Sequence, residues 1–349
     1  MEICICLPSY NESRNIQNIT KLLDSNIQNL NCSNSILLLN IDNSSPDNTS
    51  KLFLETKTSC KKESIVIKEL GKGYCILNFI KYCKKHNIEK CLMIDSDLKT
   101  IDNNFIKKML KALTNADFVL PNYKRTRFEG NVTNHFVYPM LYLTYGKLLR
   151  QPIAGDYAFS KKFLNSIPLG ELECNEDYLK YGIDLFLLDW ALKNNFKIKT
   201  IYGGKKDHSP SYDKTEKIFI DVFKTWISLH KNNFILNKIN LPQKYFKSIN
   251  SNKKCNFIDF KLKNIKDFLY GKNLDVKNYE EIRTGWIKAL CNALKSKNIN
   301  FIELKNWYSC FIVSYWIKFQ FEKIDVCEKE LLNNAIRIKE KLLCKKNFV

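Results

Sequence analysis

The residues best suited to chemistry form one short triplet. Asp95-Ser96-Asp97 places two carboxylates at i and i+2, directly after the apolar run Lys90–Ile94. On a strand end, i and i+2 point the same way. Asp is disfavoured inside a strand, and neighbouring like charges repel unless a cation joins them. A hard divalent ion such as Mg²⁺ or Mn²⁺ takes oxygen ligands of this kind and leaves positions for phosphate oxygens. A solvated acidic turn is the plain alternative. His208, in Lys206-Asp207-His208-Ser209, is one of only four histidines and follows the strand-like run Phe196–Ile201. A parallel sheet can bring such a loop beside Asp95 and Asp97. Otherwise His208 is a solvent-facing loop residue.

Three further segments have the right residue types. In Pro8-Ser9-Tyr10-Asn11-Glu12, Pro and Asn punctuate a strand end, and Glu12 opens a helix. Backbone groups there can read a base and Glu12 a ribose hydroxyl, or the segment is a strand-to-helix turn with an acidic first turn. Asp42-Asn43-Ser44-Ser45-Pro46-Asp47-Asn48-Thr49 is either a second ligand loop or a helix cap. Gly71-Lys72-Gly73 puts an ammonium between glycines, within reach of a phosphate. The G-x-x-x-x-G-K-[ST] spacing is absent, which excludes a P-loop NTPase, and so is G-x-G-x-x-G.

The elements that must position these residues alternate. Strands are expected over 2–7, 35–41, 64–68, 90–94, 117–120 and 196–201. Helices are expected from Ser13 to about Leu30, from Ser45-Pro46-Asp47 onward, from Gly71 to about His86, over 103–113, over 136–149 and over 183–194. The βαβα order predicts a doubly wound α/β domain with a largely parallel sheet, whose ligands bind beyond the carboxyl ends of the strands. That rule selects the loops at 8–12, 42–48, 69–73 and 95–98. From about Thr215 the pattern is helical: 215–229, 264–270, 279–295, 302–321 and 326–343, with the polar stretch 230–256 between the first two. We therefore expect an α/β domain over 1–213, whose rhythm changes after 120, and a helical region over 214–349.

Composition narrows the classes. The 349 residues are 45% hydrophobic and 13% aromatic, which excludes a disordered chain. The net charge of +20 is uneven: residues 1–213 carry 29 basic and 23 acidic side chains, and residues 214–349 carry 27 and 13. Only 6 of the 56 basic residues are Arg, so the excess reads first as Lys on solvated helix faces. The 13 cysteines contain no C-x-x-C pair and mostly sit in apolar runs, as at Cys75, Cys83 and Cys91. An odd count without spacing argues against zinc knuckles and a disulfide framework. Met1–Leu7 reads as a strand rather than a secretion signal, and Trp307–Ile317 is about half a bilayer span. A cytoplasmic protein is expected, with no nucleic-acid partner and no transmembrane segment. Peripheral contact with an anionic membrane stays open. The aromatic segment 307–321 is a candidate dimer face or a packed core helix.

Taken together, the opening Pro8–Glu12, the Asp42 loop and Asp95-Ser96-Asp97 resemble, in order and spacing, a nucleotide-sugar glycosyltransferase with the GT-A fold. Further segments sharpen the resemblance: Gly71-Lys72-Gly73, Gly130-x-Val132-Thr133, Gln151-Pro152-Ile153-Ala154-Gly155-Asp156-Tyr157-Ala158, Tyr181-Gly182-Ile183-Asp184 and His208. Their order is that of glucosyl-3-phosphoglycerate synthases, and mannosylglycerate-type synthases share part of it. The resemblance covers roughly residues 1–215, and it implies a catalytic domain over 1–213, with 1–120 for nucleotide-sugar binding and 121–213 for the acceptor. It implies an open, mostly parallel sheet flanked by helices, followed by a helical C-terminal region. It also implies metal-dependent transfer of glucose or mannose from a nucleoside diphosphate to a small anionic acceptor, such as 3-phosphoglycerate or glycerate.

Residue by residue, the resemblance implies Asp97 and His208 as metal ligands, with Asp95 beside them on ribose or metal. Pro8, Tyr10, Glu12, Asp42 and Ser44 would surround the nucleoside, Asp42 towards the base and Glu12 towards the ribose. Lys72 would approach the phosphates. Gly155 and Asp156 would lie at sugar and acceptor, and Asp184 on their hydroxyls. Gly130, Asn131 and Thr133 would form an acceptor loop. Asp156 and Asp184 stand where the family has Glu, and Asn131 stands where the phosphoglycerate enzymes have Arg. Arg125 and Arg127 are then the candidate cations, because guanidinium pairs well with carboxylate or phosphate. Retention of anomeric configuration is implied, whereas inversion would need a general-base carboxylate, for which Asp156 is the candidate. The alternatives are an inverting polyprenyl-phosphate transferase at the membrane surface, a sugar nucleotidyltransferase and a nucleic-acid binder. The second would open with a Gly-rich, Arg-containing signature that Pro8–Glu12 lacks. The third rests on charge alone.

Overall fold

A computed structural model describes residues 1–30, 35–126, 129–207, 214–230, 265–319, 322 and 324–343. Contacts gather the chain into two compact units. One comprises Met1–Lys124, Gln151–Pro210 and Asp221–Leu229; the other comprises Arg125–Arg150, Ser211–Ile220 and His230–Val349.

The first unit is built on a seven-stranded sheet of order β3-β2-β1-β4-β6-β5-β7. Its strands are β1 (Ile3–Ser9), β2 (Ile36–Asp42), β3 (Lys61–Val66), β4 (Lys90–Met93), β5 (Phe118–Lys124), β6 (Tyr157–Ser160) and β7 (Ile198–Lys205). All neighbouring pairs are parallel except those of β6, which runs antiparallel to β4 and β5. β1 and β2 are buried along their whole length, as central parallel strands covered on both faces must be. β3 and β7 form the edges, and their exposed positions include Lys61, Glu63, Lys199 and Lys205. Such charges discourage pairing with a further strand.

Helices fill the crossovers: α1 (Ile16–Gln28), α2 (Thr49–Glu55), α3 (Lys72–Lys85) and α4 (Phe105–Leu113). α1 buries Ile16, Ile19, Leu23 and Ile27, and α4 buries Phe105, Ile106, Met109 and Leu110. The two sets pack on Ile5, Leu7, Leu38 and Leu92 of the sheet in one core. Each such side chain contributes about 1.5–3 kcal/mol on full burial. Cys4, Cys6, Cys75, Cys83 and Cys91 are buried and free, as small core residues.

Several expected boundaries move. β3 begins at Lys61 rather than Ser64, because as an edge strand its pattern is polar. α2 begins at Thr49, which leaves Pro46 in the preceding loop. β6 and the short helices α6 (Lys161–Ser166) and α7 (Leu169–Cys174) had no clear periodic signal at 4–6 residues. The expected helix over 136–149 is a π-helical turn, Thr133–Val137, running into α5 (Tyr138–Tyr145) and stopped by Gly146 at φ 66°. α8 (Ile183–Lys193) and α9 (Thr215–His230) follow expectation closely. The polar stretch 231–256 lies outside the described residues.

The second unit is helical. Tyr279–Lys295, Phe301–Phe319 and Ile324–Leu343 are its long helices. Trp307, Tyr308, Phe311, Tyr315, Trp316 and Phe319 are all buried. The aromatic segment is therefore a packed core helix. Phe219 stacks on Tyr308 with ring centroids 4.0 Å apart, and Trp286 stacks on Phe311. Among the described residues, no helix is long and apolar enough to cross a membrane.

Candidate functional site

The antiparallel strand creates the site. Met93 at the end of β4 pairs with Tyr157 at the start of β6. The residues just beyond those ends, Asp95 and Asp156, therefore face one another at the carboxyl edge of the parallel strands. The Asp95 amide donates to Asp156 Oδ1 at 2.7 Å. β7 lies two strands further on, parallel to β5, and delivers Lys206 to the same edge. α3 starts after β3 and delivers Lys72.

These side chains interlock. Lys72 Nζ donates to Asp95 Oδ1 (2.9 Å), Asp184 Oδ2 (3.1 Å) and the Gly155 carbonyl (3.2 Å). Lys206 Nζ donates to Asp95 Oδ2 (2.9 Å), Asp156 Oδ2 (2.9 Å) and the Ala154 carbonyl (2.7 Å). Tyr123 Oη also donates to Asp156 Oδ2, at 2.7 Å. Asp95 is thus clamped between two ammonium groups, and Asp156 is fully buried with both oxygens engaged. Gly155 holds φ 92°, and a Cβ there would collide with the Asp95 carboxylate, so only glycine serves. Gly73 likewise lets α3 approach the backbone of Leu179, which a Cβ would strike.

Among the described residues, the carboxylates Asp95, Asp97, Asp156 and Asp184 lie with the ammonium groups of Lys72 and Lys206. Burial alone would lower the Lys72 pKa, but Asp184 and Asp95 raise it above the ordinary value. Burial opposes ionisation of Asp95 too, and there Lys206 and Lys72 prevail and hold the carboxyl well below the usual range. Asp97 shows the opposite outcome. Burial and the neighbouring Asp95 push it up to about 6, with Asp156 adding to the effect. Burial also raises Asp184, and its Oδ1 is buried without a hydrogen-bond partner.

Asp97 offers hard oxygen of the kind a divalent cation takes. Among the described residues no three His, Cys, Asp or Glu side chains are grouped for a metal. His208, the second expected ligand, lies outside the described residues, as does Arg127.

The nucleoside candidates gather at β1 and β2. Asp42 ends β2, and its carboxylate accepts from Ser9 Oγ (3.0 Å), Ser45 N (2.8 Å) and Ser45 Oγ (2.5 Å). Asn11, at φ 58°, donates its amide to Ser45 Oγ, and the Glu12 amide donates to Thr49 Oγ1. Glu12 Oε2 accepts from Asn15. Ser96 Oγ donates to the Pro8 carbonyl at 2.7 Å, which ties this loop to the Asp95 triplet. Ser44 Oγ donates to the Ile67 carbonyl. An open recess of about 420 Å³ is lined by Asp42, Ser44, Ser45, Lys51, Leu54 and Val66. Tyr10 is exposed.

The remaining candidates belong to the second unit. Gly130 holds φ 67° and its carbonyl accepts from Asn134 N at 2.8 Å. Asn131 is buried, and its Oδ1 accepts from Trp316 Nε1 at 3.2 Å. Thr133 opens the π-helical turn and is buried, while Arg125 is half-buried. Asn131 is therefore engaged within its own unit.

Lys206 and Tyr123 were not singled out beforehand. Lys206 sits two residues before His208, and that closeness was the available signal; Tyr123 carried none, since it reads as a strand aromatic.

No family profile matches this sequence, and no curated protein matches it. Solved structures do. Glucosyl-3-phosphoglycerate synthase of Mycobacterium tuberculosis in complex with phosphoglyceric acid aligns with a TM-score of 0.53 at 23% identity, over 65% of this chain and 79% of that one. The same enzyme with Mn²⁺, uridine diphosphate and phosphoglyceric acid gives 0.53 at 21% identity, over 65% and 78%. A form with Mg²⁺ and uridine diphosphate gives 0.50 at 22% identity, over 65% and 78%. The chain shares the GT-A-type fold of these enzymes, an open and mostly parallel sheet flanked by helices.

Proposed function

We propose that this protein is a metal-dependent glycosyltransferase. It moves a hexose, glucose or mannose, from a nucleoside-diphosphate sugar to a small anionic acceptor such as 3-phosphoglycerate or glycerate, with retention. One observation carries the reading: at the carboxyl edge of a GT-A-type sheet, Lys72 and Lys206 tie Asp95, Asp156 and Asp184 into one buried, charge-rich cluster with Asp97 beside it. Structures of the same fold hold Mn²⁺ or Mg²⁺ with uridine diphosphate, which supports the metal and donor class.

The departing diphosphate gains charge as the glycosidic bond breaks, so neutralising it is the main catalytic demand. Asp97, with His208, would hold a divalent ion that supplies Lewis-acid stabilisation of that charge. Lys72 would donate one of its N–H groups to a phosphate oxygen, drawing it from the Asp184 carboxylate. Asp184 has a second oxygen without a partner, and would accept a hydroxyl of the sugar or acceptor. Asp42, Ser44 and the Pro8–Glu12 turn would hold the nucleoside. Asp156 has both oxygens bound by Asp95, Tyr123 and Lys206, which disfavours it as a free general base and so supports retention.

Thermal shift with UDP-, GDP- and ADP-glucose or -mannose plus Mn²⁺ tests the donor. The stabilising donor is then assayed with glycerate and 3-phosphoglycerate, and NMR reads the product anomer. No stabilisation by any nucleotide-sugar with metal would sink the reading; an inverted anomer would sink the retaining chemistry alone.

A further inference from the structure

Two buried polar atoms of the first unit lack a hydrogen-bond partner among the described residues: Asp184 Oδ1 and the Tyr157 hydroxyl. Native structures leave few such atoms, and each is unfavourable until it is paired. Both belong to the layer built around α3. Tyr157 opens β6 at 1% exposure, and its ring stacks on Phe118 and on Phe159. Phe159 meets Phe79 of α3 edge-on, with centroids 6.1 Å apart. α8 carries Asp184 in its first turn and packs on the same α3. Burial, and then the Asp184 charge, push the Tyr157 hydroxyl well above its ordinary pKa, so it is a neutral O–H donor. Lys72, at the start of α3, has three N–H groups and three acceptors: Asp95 Oδ1, Asp184 Oδ2 and the Gly155 carbonyl. None is left over for an incoming anion. One acceptor has to be given up, and a buried carboxylate is given up at low cost only if another donor takes it.

We propose that Tyr157 is a positioning residue: its hydroxyl takes over the Asp184 carboxylate when Lys72 turns one N–H to the diphosphate, while Lys72 stays on Asp95 and the Gly155 carbonyl. The inference rests on the donor-site reading above and deepens it. A carboxylate accepts at two oxygens, so a sugar hydroxyl still finds a place on Asp184. The hydroxyl makes no hydrogen bond in the free protein, and its bond forms only with the ligand in place. It therefore favours the ligand-bound arrangement and adds nothing to the fold.

The test uses the full chain, with Mg²⁺ in every sample. Calorimetry first measures UDP, GDP and ADP on wild type. The tightest of the three is then measured on Tyr157→Phe, Asp184→Ala and the double variant, and thermal unfolding is followed without nucleotide. Removing a hydroxyl that has no partner should leave Tm unchanged or raise it by about 2 °C. Affinity for the diphosphate should fall on the order of tenfold, because Asp184 then gives up Lys72 without gaining another donor. In the Asp184→Ala background, Tyr157→Phe should change affinity by less than about twofold, since no carboxylate is left to take over. A merely structural hydroxyl would lower Tm and would act whether or not Asp184 is present. A lower Tm in Tyr157→Phe, an unchanged affinity, or an equal loss in the Asp184→Ala background each overturns the role of Tyr157. A wild type that binds none of the three diphosphates overturns the donor-site reading instead, and the inference with it.

Discussion

Both units bury charge, but they do so differently. In the first, Lys72 bridges Asp95 and Asp184, Lys206 bridges Asp95 and Asp156, and Asp97 lies beside them. In the second, Arg150 meets Glu328 one to one. Its Nε and Nη2 grip the Glu328 carboxylate at 2.6–3.1 Å, and Nη1 donates to Asn134 Oδ1 at 2.6 Å. Near it, His135 is buried with no partner on either ring nitrogen, edge-on to Phe311 and Tyr315. A balanced bidentate pair suits a structural role, because nothing is left for a ligand to satisfy. A cluster in which each ammonium is shared between carboxylates can rearrange its pairs when a charged ligand arrives. The shared charge at the sheet edge is thus read as the proposed site, and the Arg150–Glu328 pair as architecture.

Substitutions can break that contrast. The largest expected effect is Asp97→Ala, which removes the proposed metal-ligating carboxylate. Turnover with Mn²⁺ should fall on the order of 10³-fold or more with an unchanged circular dichroism spectrum. Activity that survives would contradict the role of Asp97. Glu328→Ala should leave Arg150 buried and unpaired and cost about 3–5 kcal/mol of stability, read by denaturant unfolding. A loss below about 1 kcal/mol would mean that the pair is not structural.

His135 sharpens the contrast through pH. Burial, then the Arg150 charge, pushes its pKa down to about 3. The unfolded imidazole titrates near 6.5. Between those values the unfolded chain binds the extra proton, so stability falls as pH drops below about 6.5 and the loss levels off near 3. At pH 5 it should reach about 2 kcal/mol. Unfolding at pH 7 and pH 5 measures it, and His135→Phe should flatten the slope; a slope equal to wild type would assign the effect elsewhere.

The smallest effect belongs to Asp24 in the first unit. Burial disfavours its charge, but amide and hydroxyl donors of Cys60 and Ser59 outweigh burial and lower its pKa. That stability is present above the unfolded value near 3.9 and is lost as pH falls through the folded one. Asp24→Asn should cost about 1–2 kcal/mol at pH 7 and little at pH 2. An equal cost at both would show that charge is not the cause.

The central strands, the long helices and the Asp95, Asp42 and Lys72 loops were legible in the sequence. Buried parallel strands are continuous apolar runs, and loops at their ends carry residues that a strand interior rejects. Ile3–Ser9, Ile36–Asp42 and the triplet after Lys90–Met93 are of this kind. β6 was not, because four residues of Tyr-Ala-Phe-Ser fit helix or strand equally well. Nor was the inward turn of Asn131 to Trp316, a contact across 185 positions.

Residue types and local order alone thus determined an alternating α/β unit, a helical remainder and a set of acidic and glycine-rich loops. Tertiary structure decided which of those loops act together. An ammonium is as ordinary on a solvated loop as in a buried cluster, and local patterning cannot separate the two. Only the strand order β4-β6-β5-β7, with β6 reversed, brings Lys206 to Asp95 and Asp156, over sequence separations of 111 and 50.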